Sequence, residues 1–192
     1  MTLKQILKKR IAVLREMIKA IVKLIALKKE EEEPFKSYYA FCLALKMRES
    51  NNNYQAVNTL GFLGAYQFGM ARLCDLGYTE RRPGTTGFNH TAFEWKHGYS
   101  RKIFLENPNL QDKIFREHVV NLSARILSQW GGKLGTKIKG IEITQSGCVA
   151  FAHIAGFGGL SRFFTYGTDP QDAYGTTSTS YMSKFAGYDL EA

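Results

Sequence analysis

Residues 47–69 read MRESNNNYQAVNTLGFLGAYQFG, and the assignment of the chain turns on how this stretch is entered. Just before and within its start, Tyr38, Phe41, Cys42, Leu45 and Glu49 recur at spacings of 3, 1, 3 and 4. Those steps trace one face of an α-helix, so Glu49 occupies the place where the next apolar residue is expected. A carboxyl at the end of a core-facing stripe is partly desolvated, which disfavours its charged form. A glutamic acid kept protonated in this way suits general-acid chemistry. The glycines that follow, Gly61, Gly64 and Gly69, permit turns and the close approach of a polymer to the backbone.

Upstream, Leu7, Ile11, Leu14, Ile18, Ile21 and Ile25 form a heptad seam, widened by Val13, Met17, Val22, Leu24 and Leu27. The seam predicts one amphipathic helix. It ends at the four glutamates 30–33, read as a solvated run, and at Pro34, which cannot continue a helical ladder. The expected organisation is therefore an arm over 1–35 and a domain over 36–192. Three uses of the arm stay open: docking or self-association through the stripe, an interfacial helix on an anionic membrane surface, or a cleaved targeting segment. No conventional secretory signal is read, because Lys8, Lys9, Arg10, Arg15, Lys19 and Lys23 interrupt the apolar residues. Nor is there a nearly unbroken apolar run of roughly 20 residues, which a membrane span needs.

The 192 residues suffice for one core and an appendage. Lysine and arginine number 26 against 17 acidic residues, a net charge of +9 that favours polyanionic partners. Nucleic acid is set aside, since beyond the arm the basic residues form no stripe with interleaved aromatics. Cys42, Cys74 and Cys148 are far apart with apolar neighbours and read as buried reduced thiols. His90, His97, His118 and His153 show no ligand spacing, so neither metal nor cofactor is expected, and His118 reads as an ordinary, partly buried core histidine.

Further along, residues 75–102 read as one long loop with a turn at Arg81-Arg82-Pro83-Gly84. Asn107-Pro108 starts a helix whose face is Phe115, Val119, Leu122, Ile126 and Trp130. Residues 133–143 read as a connecting segment. Thr144 or Ser146 caps a buried helix that ends at Gly156.

Taken together, Glu49-Ser50, the asparagine-rich loop through Asn58, and Gly64-Ala65-Tyr66-Gln67 resemble the soluble lytic transglycosylase and goose-type lysozyme family of the lysozyme superfamily. There a Glu-Ser at a helix end is followed by a loop and a Gly-x-x-Gln segment. Residues 95–115 are similar to the family's Trp-rich loop and following helix. Ala152-His153-Ile154-Ala155-Gly156 stands where the family has Ala-Tyr-Asn-Ala-Gly, departing at His153 and Ile154. The tail 172–185 is similar to the closing segment, with Tyr181 matching a tyrosine near the active site.

The resemblance spans roughly residues 37–190 and implies a mainly α, lysozyme-like helical catalytic domain carrying an extra N-terminal amphipathic helix. It implies that Glu49 is the catalytic acid and that Ser50 supports the site. Substrate contacts fall to Asn58, Tyr66, Gln67, His153 and Tyr181; at its position His153 retains a hydrogen-bond donor, whereas Ile154 cannot replace an amide. Phe88, Phe93, Trp95 and Tyr99 serve either as stacking platforms for sugar rings or as loop anchors. The implied activity is cleavage of peptidoglycan strands between N-acetylmuramic acid and N-acetylglucosamine with 1,6-anhydromuramyl ends, in the periplasm or cell wall after delivery by lysis, a virion or a secretion apparatus. Lysozyme-type hydrolysis would need a second carboxylate, for which Asp75, Glu94 and Asp172 are the candidates. A domain that only binds wall glycan, or is a structural part of a larger apparatus, is the non-enzymatic alternative.

Overall fold

The computed structural model describes residues 3–31, 36–87, 90–172 and 174–191. The chain divides into two units, Met1–Lys36 and Ser37–Ala192. It is mainly α-helical. The expected stop at Pro34 and the aromatic Phe88 lie outside the described residues.

The first unit holds one helix, α1 (Leu3–Glu31), and the apolar side chains described along its middle are exposed. Among the described residues no helix is long and apolar enough to cross a membrane.

In the second unit α2 (Tyr38–Ser50) starts at Ser37, whose Oγ accepts from Ala40 N, and it buries Phe41, Cys42 and Leu45 as their spacing predicts. It stops because Asn51 and Asn52 both take the left-handed conformation, which asparagine tolerates better than most residues. α3 (Met70–Asp75) follows. The expected long loop then turns out to hold an antiparallel pair, β1 (Thr79–Arg81) with β2 (Phe93–Trp95), before α4 (Arg101–Glu106). Each strand has only three residues, too few to show alternation in the sequence. Phe93 is buried, and Trp95 packs on Phe104 at 5.7 Å between ring centroids, so both anchor the hairpin.

α5 (Pro108–Trp130) begins where Asn107-Pro108 predicts, with Asn107 Oδ1 accepting from Leu110 N. Phe115, Val119, Leu122 and Ile126 are buried, whereas Trp130 is half-buried and stacks on Phe164. The supposed connector contains a tight hairpin, β3 (Lys137–Ile138) with β4 (Ile141–Glu142). Its two turn residues, Lys139 and Gly140, both have positive φ, the requirement of a type I′ turn, but Lys-Gly lacks the usual Asn-Gly signature.

α6 (Gln145–Tyr166) is capped by Thr144 and carries the most apolar face of the unit. Gly156 leaves helical geometry (φ 68°, ψ 167°), yet a second helical segment continues to Tyr166 instead of ending there. Both α5 and α7 (Ser178–Lys184) pack on α6. All three cysteines are free; Cys42 and Cys148 are buried, and burial pushes the Cys148 thiol up to about 12, while Cys74 is only half-buried.

Candidate active site

The last turn of α2 delivers Glu49, half-buried, to the wall of an open groove of about 510 Å³. Tyr181, from α7, donates its hydroxyl to Glu49 Oε1 at 2.7 Å. Burial, then the Glu49 charge, raises the Tyr181 phenol well above its usual value, so it remains a donor. Arg48 lies over the Tyr181 ring, 5.6 Å from its centroid. Glu49, Asn58, Gln67, His153 and Tyr181 therefore share one groove, drawn from three helices and a loop.

Asn58 accepts from Leu60 N and Phe62 N through Oδ1, which leaves its amide nitrogen as the donor toward the groove. Gln67, at φ 51°, donates Nε2 to Gly64 O at 2.9 Å, leaving Oε1 as its acceptor. The Asn58–Leu60 loop also lines a second groove of about 640 Å³ beside the β1–β2 hairpin, so the two cavities adjoin. Thr59 and Tyr174 share a hydrogen bond of 2.9 Å that ties this loop to the 171–177 loop.

The structure gives three of the expected site residues other partners. Ser50 does not line the groove: its Oγ donates to Ala65 O at 2.9 Å and accepts from Asn53 N at 3.0 Å, fastening the helix end to the following loop. Tyr66 turns into the core, stacked on Phe115 at 3.9 Å with its hydroxyl donating to Asp112, while its neighbour Gln67, with positive φ, lines the groove. His153 lines the groove, but both ring nitrogens are engaged, so no N–H is left to donate to a ligand.

The histidine pairing is a short directed chain. Arg72 Nε donates to His118 Nδ1 at 2.7 Å, which assigns the His118 proton to Nε2. His118 then donates to His153 Nδ1 at 3.1 Å, and His153 Nε2 donates to Tyr66 O at 2.9 Å. His118 is thus fully buried and partnered, not the ordinary histidine the sequence suggests. Burial holds both imidazoles below their usual range; His153 and Arg72 push His118 further down, whereas Glu49 partly offsets the effect at His153. The unfolded chain, with histidine near 6.5, therefore takes up more protons than the fold as pH falls below about 6.5. Stability from this chain is complete above that pH and is lost below it, at up to about 1.4 kcal/mol per unit and histidine. Thermal melts between about pH 7.5 and 5.5 should show the midpoint falling over the acidic half of the range; a flat profile contradicts the neutral assignment.

Two supports have no motif in the sequence. Gln111, buried on α5, accepts from Ala65 N and donates to both Tyr54 O and Phe104 O. Asp112 collects the hydroxyls of Tyr54 and Tyr66, with Lys46 Nζ donating to Tyr54 Oη at 2.6 Å. The signal available was two polar residues next to the apolar face of α5, which otherwise reads as solvent-facing.

Of the candidate second carboxylates, Asp75 pairs with Arg72, and Glu94 belongs to the adjoining groove, 4.0 Å from Arg82. Neither lines the Glu49 groove, whereas Asp172 does. Asp172 Oδ1 accepts from Tyr174 N and Thr176 N, which shapes the loop it sits on. Among the described residues no cluster of three His, Cys, Asp or Glu side chains is placed to hold a metal ion. No family model, curated protein or solved structure matches this chain.

Proposed function

We propose that the Ser37–Ala192 unit is a peptidoglycan lytic transglycosylase of the lysozyme-like type, acting on glycan strands in the periplasm or cell wall. The observation that carries this reading is the half-buried Glu49 carboxyl in an open groove, with the Tyr181 hydroxyl donating to its Oε1 at 2.7 Å. Protonated Glu49 gives its proton to the glycosidic oxygen as the bond to the muramyl anomeric carbon breaks. The carboxylate so formed takes the proton of the muramyl 6-hydroxyl, whose oxygen bonds to that carbon. One strand leaves with a free hydroxyl, the other ends as a 1,6-anhydro sugar, and Glu49 is protonated again. No water is consumed. Tyr181 holds the carboxyl in one orientation through both steps, while Asn58 and Gln67 offer a donor and an acceptor to the sugar substituents. The groove volume is that of a ligand site.

Lysozyme-type hydrolysis is the second reading, favoured by Asp172 in the same groove. Digestion in oxygen-18 water separates the two. Transglycosylation predicts anhydromuramyl ends without label and an Asp172→Asn variant that keeps its rate within a few-fold. Labelled reducing ends, lost in Asp172→Asn, would replace it with hydrolysis.

A further inference from the structure

We propose that α1 is an interfacial anchor that lies on the surface of an anionic lipid bilayer. This goes beyond the glycan reading and stands independently of it. Between residues 9 and 24, Ile11, Val13, Leu14, Met17, Ile18, Ile21, Val22 and Leu24 are all exposed, from 44% to 61%. At 3.6 residues per turn these eight span about half the circumference of the helix. Lys9, Arg15, Glu16, Lys19 and Lys23 occupy the opposite half, and Arg10 alone among the charged residues of this span falls within the apolar half. The helix runs for 29 residues, about 43 Å at 1.5 Å per residue.

Charge selects the occupant. From Leu3 to Lys29 the sequence carries nine basic side chains and one acidic, Glu16, which pairs with Lys19 at 2.8 Å. A second copy is the competing partner, because the heptad seam through Ile11, Leu14, Ile18 and Ile21 suits one. In that register the flanking positions that set pairing are Arg10, Arg15, Met17, Val22 and Leu24. None is acidic, so a parallel pair sets Arg10 of one helix against Arg15 of the other. The apolar face is also wider than a two-helix seam buries. Both features that weaken a dimer favour a lipid surface: the wide apolar half enters the acyl boundary, and the lysines and arginines reach anionic headgroups. With no helix among the described residues apolar enough to cross, α1 rests on the bilayer and does not span it.

The test is flotation of the full chain with vesicles of phosphatidylcholine alone and of phosphatidylcholine mixed with phosphatidylglycerol, alongside sedimentation without lipid. The protein should float with the anionic vesicles, remain unbound with the neutral ones, and sediment as a monomer. Leu14→Glu/Ile18→Glu, at two sites each 57% exposed, should cut flotation by about tenfold or more, and high salt should weaken binding in the wild type. Cleavage of soluble glycan fragments should be unchanged by that variant, which separates this outcome from any failure of the glycan reading. Equal flotation of variant and wild type overturns the proposal, as does equal binding to neutral vesicles. A wild-type oligomer that the variant dissolves, without flotation, assigns the face to a second copy. A wild type that neither floats nor associates also overturns the anchor.

Discussion

Glu49→Gln is expected to lower the rate of glycan release by about 10²–10⁴-fold, the range that a positioned general acid contributes. Glutamine keeps the size and the oxygen that accepts from Tyr181, but it carries no proton to give to a glycosidic oxygen. Half-burial and the retained hydrogen bond predict a folded variant whose stability changes by less than about 1 kcal/mol. Clearing of a peptidoglycan suspension, with a thermal melt on the same sample, measures both quantities. A rate loss matched by a lost fold would say nothing for an acid, whereas a cold-stable, inactive protein would.

The largest expected effect on the fold comes from Gly64→Ala. A methyl there would meet Gln111 Oε1 at 2.1 Å, and the backbone φ of +76° already disfavours any side chain. The left-handed strain costs about 1–3 kcal/mol and the overpacking a similar amount. For a unit of this size the sum corresponds to a melting point roughly 10 °C lower. Since the severest clash is with Gln111, with Phe104 Cε1 next at 3.0 Å, Gly64→Ala/Gln111→Ala should cost less than the two single changes added together. Full additivity would show that strain at Gly64, and not contact with Gln111, explains the glycine. The sequence offers a different reason, close approach of a polymer; in the structure the protein's own Gln111 fills that space.

What could be read from the sequence follows a physical divide. α2 was legible from its apolar steps, and α5 from its apolar steps and its Asn107-Pro108 cap, because these are local signals. Glu49 was legible for the same reason, as the next step of the α2 face. Its partner Tyr181 lies 132 residues away and came only through the family resemblance. Tyr66 was misplaced because its ring turns into the core while its neighbour Gln67 lines the groove, which residue type does not reveal. The His118–His153 contact joins residues 35 apart, so no helical spacing announces it, and the donor that the position of His153 suggested goes instead to Tyr66 O. Gln111, buried, and Asp112, half-buried, were hidden because polar residues on a helix look like surface until their partners are in place. The two hairpins were missed for want of length and of an Asn-Gly turn.

Purified peptidoglycan digested in parallel by the wild type and by Glu49→Gln, with the soluble fragments weighed by mass spectrometry, tests the central claim most directly. The wild type is predicted to release fragments ending in 1,6-anhydromuramic acid, each lighter by one water than the corresponding reducing end, and the variant to release almost none. Anhydromuramyl fragments appearing at similar rates from both proteins, or intact peptidoglycan after incubation with either, would contradict it.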